Sequence, residues 1–516
     1  MGARLAALHA LEPSAARNGA GLHGFDGVAA DLSPTGVRSA LHALGRGPKL
    51  DDDHDEAVLA AAEHATRLMW GQMEIHRTNP LPHIGNLDLS GYDRPYGPAE
   101  QRMQAKLRHL AAWPDAISAT LESLDSVPAV VASALSASVA GLAAGLDSLR
   151  CQGDDSVVTG ALSAHRQLLK RMAEMAASGD PNPSMGAAAL AELLGATEAT
   201  DVDLSSLETL ADAEQHRWLE VLSQGCARLA QGRETRETVT ALLADHPPAG
   251  NMNLLYRQAE ALMEEAARFT VESGILPDLG GTCRVGPAPP SMGWAMAMMA
   301  WNAPFESETA AWYWINPPSE DWTEQEKQEW MSVFSASTLP AITVHEVTPG
   351  HFSHGRYLRR LTSDVRRSLH SSGFIEGWAH FGEEVMLEHG FRDFDPRFAI
   401  GVAIEALTRA TRLEVSIKVH RGDMNLSQAA HRFTEMAMLQ GPAAMSEATR
   451  STYDPTYGRY TWGKDEIRKL RDRAREAWGG RYSDIAFHCS LLDLGAPPLG
   501  LMDTALSKHP DRHAAC

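Results

Sequence analysis

A chain of 516 residues, 44% hydrophobic and 22% charged, is long enough for two to four domains or for one large enzyme with two lobes. Its formal net charge of −20, from 66 acidic and 46 basic residues, argues against nucleic acid and anionic membrane as partners, since both demand a basic surface. The five cysteines are scattered and form no CxxC pair, so neither a disulfide framework nor a thiolate metal site is expected.

The N-terminus lacks the apolar core and small-residue cleavage site of a signal peptide. No run of 18 apolar residues marks a membrane helix, and a cytoplasmic protein is expected. Residues 1–50 are rich in Gly, Ala, Ser and Pro and are followed by the acidic run Asp51–Asp55; they are expected as a loosely ordered arm with short helices such as 36–44. Residues 51–275 predict a helical lobe, because apolar residues recur three and four apart, as in Leu204, Leu207, Leu210 and Trp218. Within it, the Ala- and Ser-rich stretch 127–146 reads as a buried helix pair.

Prolines and glycines then bracket an aromatic run, Ala311-Trp312-Tyr313-Trp314-Ile315-Asn316, which predicts a short strand. Such a strand can lie beside an extended substrate as edge strands do, with Asn316 as a polar contact at its end, or serve as a structural cover. Residues 276–516 are expected as a catalytic helical region. The fold class is mainly α, with a small β element near 311–316.

The decisive segment is His345-Glu346-Val347-Thr348-Pro349-Gly350-His351. A zinc hydrolase binds its metal through neutral imidazoles and keeps a carboxylate nearby to take a proton from water. Histidines four apart share a helix face, whereas these are six apart, which on a regular helix turns the second roughly 240° from the first. Pro349 removes a helical hydrogen bond and Gly350 permits unusual dihedrals. A break between them lets His351 swing back toward His345, with Glu346 as general base. Pro340 suits the first turn of this helix, after Ser337 or Thr338 as cap.

A third ligand is expected from the helix that follows, ending near Gly390. Glu376 lies 25 residues after His351, enough for a loop and a returning helix. His380 and Glu383 follow at i+4 and i+7 on its face, as partners that orient a ligand; His380 reads equally as a hydrogen-bonded core histidine. Trp378 reads as core. Zinc is the expected ion, and one divalent metal the expected cofactor.

These motifs, with Glu376-Gly-Trp-Ala-His-Phe-Gly-Glu383 and, in order behind them, Tyr460-Thr-Trp-Gly463-Lys464, Leu470-Arg471, Phe487-His488 and Gly495-Ala-Pro-Pro-Leu499, resemble the bacterial family named domain of unknown function 885. The resemblance carries specific motifs over 280–505. That family looks like a distant relative of helical zinc peptidases of the thimet-oligopeptidase and carboxypeptidase Taq kind. It implies a two-lobed, mainly α fold around a deep cleft, with His345, His351 and Glu376 as ligands and Glu346 as base. It also implies Tyr460 as donor to the oxyanion and His488 as a substrate contact; without the resemblance Tyr460 reads as a packing tyrosine.

The chain departs from the family pattern at His354, at His380 with Phe381, and at Arg459. All lie beside the site, which leaves the substrate open. The expected function is hydrolysis of a peptide or amide bond by metal-activated water. The alternatives are a metalloenzyme of a biosynthetic pathway acting on a small amide or by non-hydrolytic chemistry, and a non-catalytic peptide-binding relative. Arg471 reads as one half of an ion pair.

Overall fold

The computed structural model describes residues 1–151, 155–289, 296–439 and 441–507. Helices carry most of these residues, and a single three-stranded sheet supplies the β structure among them, the mainly α fold that the periodicity predicts.

Helix α1 (Ala3–Leu11) opens the chain and lies on α2 (Asp53–Thr66). Residues 1–50 are therefore not a loose arm. Leu5, Leu8 and Leu11 are buried, and Arg4 grips Glu63 at 2.9 and 3.0 Å. An Ala-rich composition read as disorder is equally that of a strong helix former. A second helix of this region covers Pro34–Ala43, capped by Ser33 with proline at its first position.

A first core forms among α3 (Ala99–Ser123), α4 (Ala129–Gly141) and α5 (Asp155–Ser178). On α5, Val158, Ala161, His165, Leu168, Met172 and Met175 make one buried stripe at helical spacing. The segment from Ala129 to Arg150 has a mean hydropathy of 1.9 in its most apolar window, enough by length and composition to cross a membrane. Counting consecutive apolar residues missed this because serines interrupt the run. In the fold α4 stops at Gly141, a 3-10 helix follows at Leu146–Cys151, and Val131, Leu135, Val139, Leu146 and Leu149 pack in the first core.

The second and larger core joins α6 (Ala187–Glu198), α7 (Leu204–Leu229) and α8 (Met252–Glu272) to the C-terminal helices. Leu190, Trp218 and Leu222 share it with Trp378, Phe381 and Leu407. No core boundary falls at 275, where the composition shifts. The change of partner comes between α5 and α6, near 180, so the Pro- and Gly-rich stretch after 275 marks a sheet and not a domain border.

The sheet is β1 (Cys283–Gly286), β2 (Ala297–Ala300) and β3 (Ala311–Ile315) in the order β1-β3-β2. The aromatic strand β3 is thus central, parallel to β1 and antiparallel to β2. Its backbone is paired on both sides, which corrects the expectation of an edge strand open to an extended peptide. The flanking segments, Cys-Arg-Val-Gly and Ala-Met-Met-Ala, carry no strand pattern that a sequence reading would find. Tyr313 and Ile315 share a core with Phe334, Leu339 and Ile342, fixing the sheet on the helix that bears His345 and Glu346.

Five further helices build the site: α9 (Thr338–Glu346), α10 (His351–Leu358), α11 (Ser372–Glu388), α12 (Pro396–Arg421) and α13 (Arg459–Trp478). Ser371 caps α11, and Gly390, left-handed at φ 84°, ends it as expected. Asp395 caps α12 with Pro396 at its first position. Ser337 stands at the start of α9 but makes no side-chain cap bond. Helix α13 crosses α11 at glycines: a Cβ on Gly377 would meet the Gly463 backbone at 2.5 Å, and one on Gly463 the Gly373 carbonyl at 2.0 Å. Glycine here lets two helix backbones touch, and that contact sets Tyr460 one turn away beside Glu376.

Candidate metal centre

Every residue of α9 is buried, His345 and Glu346 included. Two polar side chains at the end of a fully buried helix call for partners. The helix stops at Glu346, a cis Thr348–Pro349 bond and Gly350 follow, and α10 starts at His351. The break expected from Pro349 and Gly350 is present. Gly350 lies so close to the preceding turn that a Cβ would fall 1.8 Å from the His345 carbonyl oxygen. Trp378 donates its indole N–H to the Pro349 carbonyl at 2.9 Å, tying the break to α11. The tryptophan is core, as expected, and also a clamp.

The break brings the two imidazoles together, ring centroids 4.7 Å apart and nearly perpendicular. Glu376 on α11 completes the group: its Oε2 lies 3.4 Å from His345 Nε2 and 3.3 Å from His351 Nε2. That oxygen is buried without a hydrogen-bond partner among the described residues, so the three atoms converge without bonding one another. Zinc bonds of ~2.0–2.1 Å in a tetrahedron set neighbouring ligand atoms about 3.3–3.4 Å apart, and the observed separations match. Glu346 also brings an oxygen within 4.8 Å of a ligand atom on each imidazole, and its Oε2 is buried and unpaired among the described residues. Glu376, the closer carboxylate, fits the ligand role and leaves Glu346 as the second carboxylate beside the imidazoles.

Electrostatics agree with the geometry. Burial pushes the Glu376 carboxyl up, but His345 and His351 outweigh it and hold it well below the usual carboxylate range, so it remains the anion a ligand must be. Burial and Arg409 push the His345 imidazolium down, while Glu376 and Glu383 together raise its pKa to about 9. A ring flanked by two carboxylates sits in a field that favours a cation.

Behind His345, Glu383 accepts its Nδ1–H at 2.7 Å and a guanidinium N–H from Arg409 at 2.8 Å. This is the carboxylate–histidine arrangement that fixes a ligand's tautomer and aims Nε2 outward. His380 lies beside the same pair, Nδ1 3.5 Å from Glu383 and from Arg409. Burial and Lys464 lower its pKa to about 3, so it is a neutral supporting ring. Arg409 on α12 was not found from the sequence, since it carries no motif and lies 26 residues beyond Glu383.

Tyr460 stacks at 6.2 Å on His345, with Arg412 Cζ 5.0 Å from the centroid of its ring. Three other expected residues lie elsewhere. His488, on the C-terminal helix α14 (Asp484–Leu492), binds the Ile275 carbonyl at 2.8 Å through Nδ1 and is walled in by Trp378, Phe381 and Phe487. At 1% exposure, with burial lowering its pKa to about 4, it packs behind Trp378. His354 binds the Gly495 carbonyl at 3.1 Å, and burial lowers its pKa to about 3, so it anchors α10 to the C-terminal segment. Arg459 forks onto Asp454 at 2.8 and 2.9 Å.

Asn316 closes the end of β3: its Oδ1 accepts from Ala288 N–H at 3.1 Å and its carbonyl from the Trp330 indole at 3.0 Å. Arg471 forms the expected ion pair, with Glu388.

The family described as "Bacterial protein of unknown function (DUF885)" matches residues 15–506. No curated protein matches the chain. Among solved structures, a candidate lipoprotein of unknown function from Shewanella oneidensis is 16% identical, with a TM-score of 0.77 over 98% of each chain. A candidate lipoprotein from Colwellia psychrerythraea is 16% identical, with a TM-score of 0.78 over 99% of this chain and 97% of that one. At that identity the likeness is one of fold.

Proposed function

The chain belongs to the bacterial family of unknown function DUF885, and from that premise we propose that it is a metal-dependent hydrolase, zinc its ion, that cleaves a peptide or amide bond. The likeness of its motifs to helical zinc peptidases is part of the same proposal. The observation that carries it is the approach of Glu376 Oε2 to His345 Nε2 at 3.4 Å and to His351 Nε2 at 3.3 Å, the spacing of zinc ligands.

His345, His351 and Glu376 would hold the metal, which when bound acidifies water and polarises a carbonyl. Glu346 takes the proton of the attacking water and passes it to the leaving amine, a role worth about 10²–10⁴ in rate. Glu383 and Arg409 keep His345 in register. Tyr460, next to His345 and under the guanidiniums of Arg409 and Arg412, offers its hydroxyl to the carbonyl oxygen as charge develops there. The burial of α9 keeps bulk water away from these groups.

The test is turnover of a peptide mixture and of small N-acyl amides by wild type and Glu346→Gln, both zinc-loaded. The reading expects wild-type cleavage of one class, reduced at least about 100-fold in the variant. Cleavage that survives Glu346→Gln unchanged would remove the proposed base.

For the compartment we propose the cytoplasm, supported by Cys226 and Cys283 being free thiols. Cys516 and the side chain of Cys151 lie outside the described residues. The two structural neighbours described as candidate lipoproteins favour the cell envelope instead, and fractionation of the native host separates the two.

A further inference from the structure

We propose that Arg412 and Arg450 form a recognition site for a carboxylate of the substrate, placing the bond to be cleaved next to a free acid such as a peptide C-terminus. The proposal rests on the hydrolase reading above and names its substrate class.

Three guanidiniums from three segments lie near one another: Arg412 of α12, over the Tyr460 ring, and Arg450 at the end of the helix Gly441–Arg450 with Arg459 at the start of α13, joined through Asp454. A sequence reading finds no basic cluster because these positions are dozens of residues apart or separated by acidic ones. Among the described residues two carboxylates are hydrogen-bonded to them, while Glu405 acts on Arg412 and Glu198 on Arg459 from farther off. Arg412 uses Nε and Nη2 on Glu447, both at 2.7 Å. Arg450 uses Nε and Nη2 on one oxygen of Asp454, at 3.2 and 3.0 Å, and Arg459 forks onto the same Asp454. Nη1 of Arg412 and Nη1 of Arg450 have no hydrogen bond among the described residues, and the two side chains are 14% and 25% exposed.

Arg412 lies beside the tyrosine that stacks on one of the proposed ligands. Burial and then Glu376 push the Tyr460 hydroxyl up, while Arg450, Arg412 and Arg459 pull it down. The Tyr460 ring is 6.2 Å from the His345 ring and 5.0 Å from Arg412 Cζ. Arg412 is thus within roughly 11 Å of that imidazole, the reach of two to three extended residues at ~3.3–3.6 Å each. An amide at the metal and an acid group one or two residues on would span it. Guanidinium donors are planar and suited to a carboxylate, and the same charge in a half-buried site acts on an anion more strongly than it would in water.

The experiment compares two hydroxamates on zinc-loaded wild-type protein by calorimetry. Succinic monohydroxamate carries a carboxylate beyond its metal-binding end; butyrohydroxamate has the same carbon chain length without it. The proposal expects the acid to bind at least 10-fold tighter, and this preference to vanish in Arg412→Met and Arg450→Met while their zinc content is unchanged. Should either variant fail to fold, the wild-type comparison still decides. Equal affinity for the two hydroxamates overturns the proposal and leaves the metal centre standing. No binding of either, by protein that takes up no zinc, overturns it together with the hydrolase reading.

Discussion

Glu383 Oε1 accepts the Nδ1–H of His345 at 2.7 Å, and its other oxygen accepts from Arg409 at 2.8 Å. The carboxylate is fully buried, so this hydrogen bond has no competing water and holds the imidazole with Nε2 toward Glu376 and His351. A metal site built on such a ring depends on the residue behind it.

Glu383→Ala is therefore expected to weaken zinc binding by about 10–100-fold while leaving all three proposed ligands in place. Competition against a chelator of known affinity measures this. An unchanged affinity would mean that packing alone orients His345.

Tyr460 and His488 separate in the same way that their surroundings do. Tyr460→Phe is expected to lower turnover by on the order of 10²–10³ with zinc content unchanged, as loss of one oxyanion donor does. His488→Phe removes the bond to the Ile275 carbonyl and leaves that buried acceptor unpaired, a cost of about 1–3 kcal/mol in stability. Its turnover at saturating zinc is expected to stay at the wild-type level; a selective loss of turnover with full stability would restore His488 to the site.

Much of the site was legible in the chain. His345, Glu346, His351 and Glu376 are marked by residue type and order, and the helix break by Pro349 and Gly350. What was not legible depends on contacts between distant segments. Arg409 reaches Glu383 from another helix. Gly377 and Gly463 matter because two backbones touch there, which neither local sequence announces. The central place of β3 depends on two short neighbours without strand character, and the order of residues 1–50 on burial of Leu5, Leu8 and Leu11 against α2 and its surroundings. His354 and His488 carry the residue type of a catalyst, but the backbone carbonyls of Gly495 and Ile275 occupy them.

Lys464 of α13 is fully buried between Glu214 of α7 and Glu384 of α11, 3.4 Å from the latter, and Arg217 adds to the group. Burial pushes both carboxyls up, but Lys464 and the arginines overcome it and hold each at about 2, below the ordinary 4.5. Depressed carboxyls contribute stability that is present above pH 4.5 and is lost as pH falls toward 2. Lys464→Met leaves two buried acids without their ammonium and is expected to cost about 3–5 kcal/mol at pH 7, read by urea denaturation. The variant should lose much of the wild type's stability change across that acid window. A loss under about 1 kcal/mol would show that the arginines suffice.

The central claim is tested most directly by metal content per chain, measured by mass spectrometry on wild type and on Glu376→Ala purified identically. The account predicts about one zinc per wild-type chain, the number one four-coordinate site holds, and its loss in the variant. Wild-type protein that carries no metal and takes up no added zinc would contradict it.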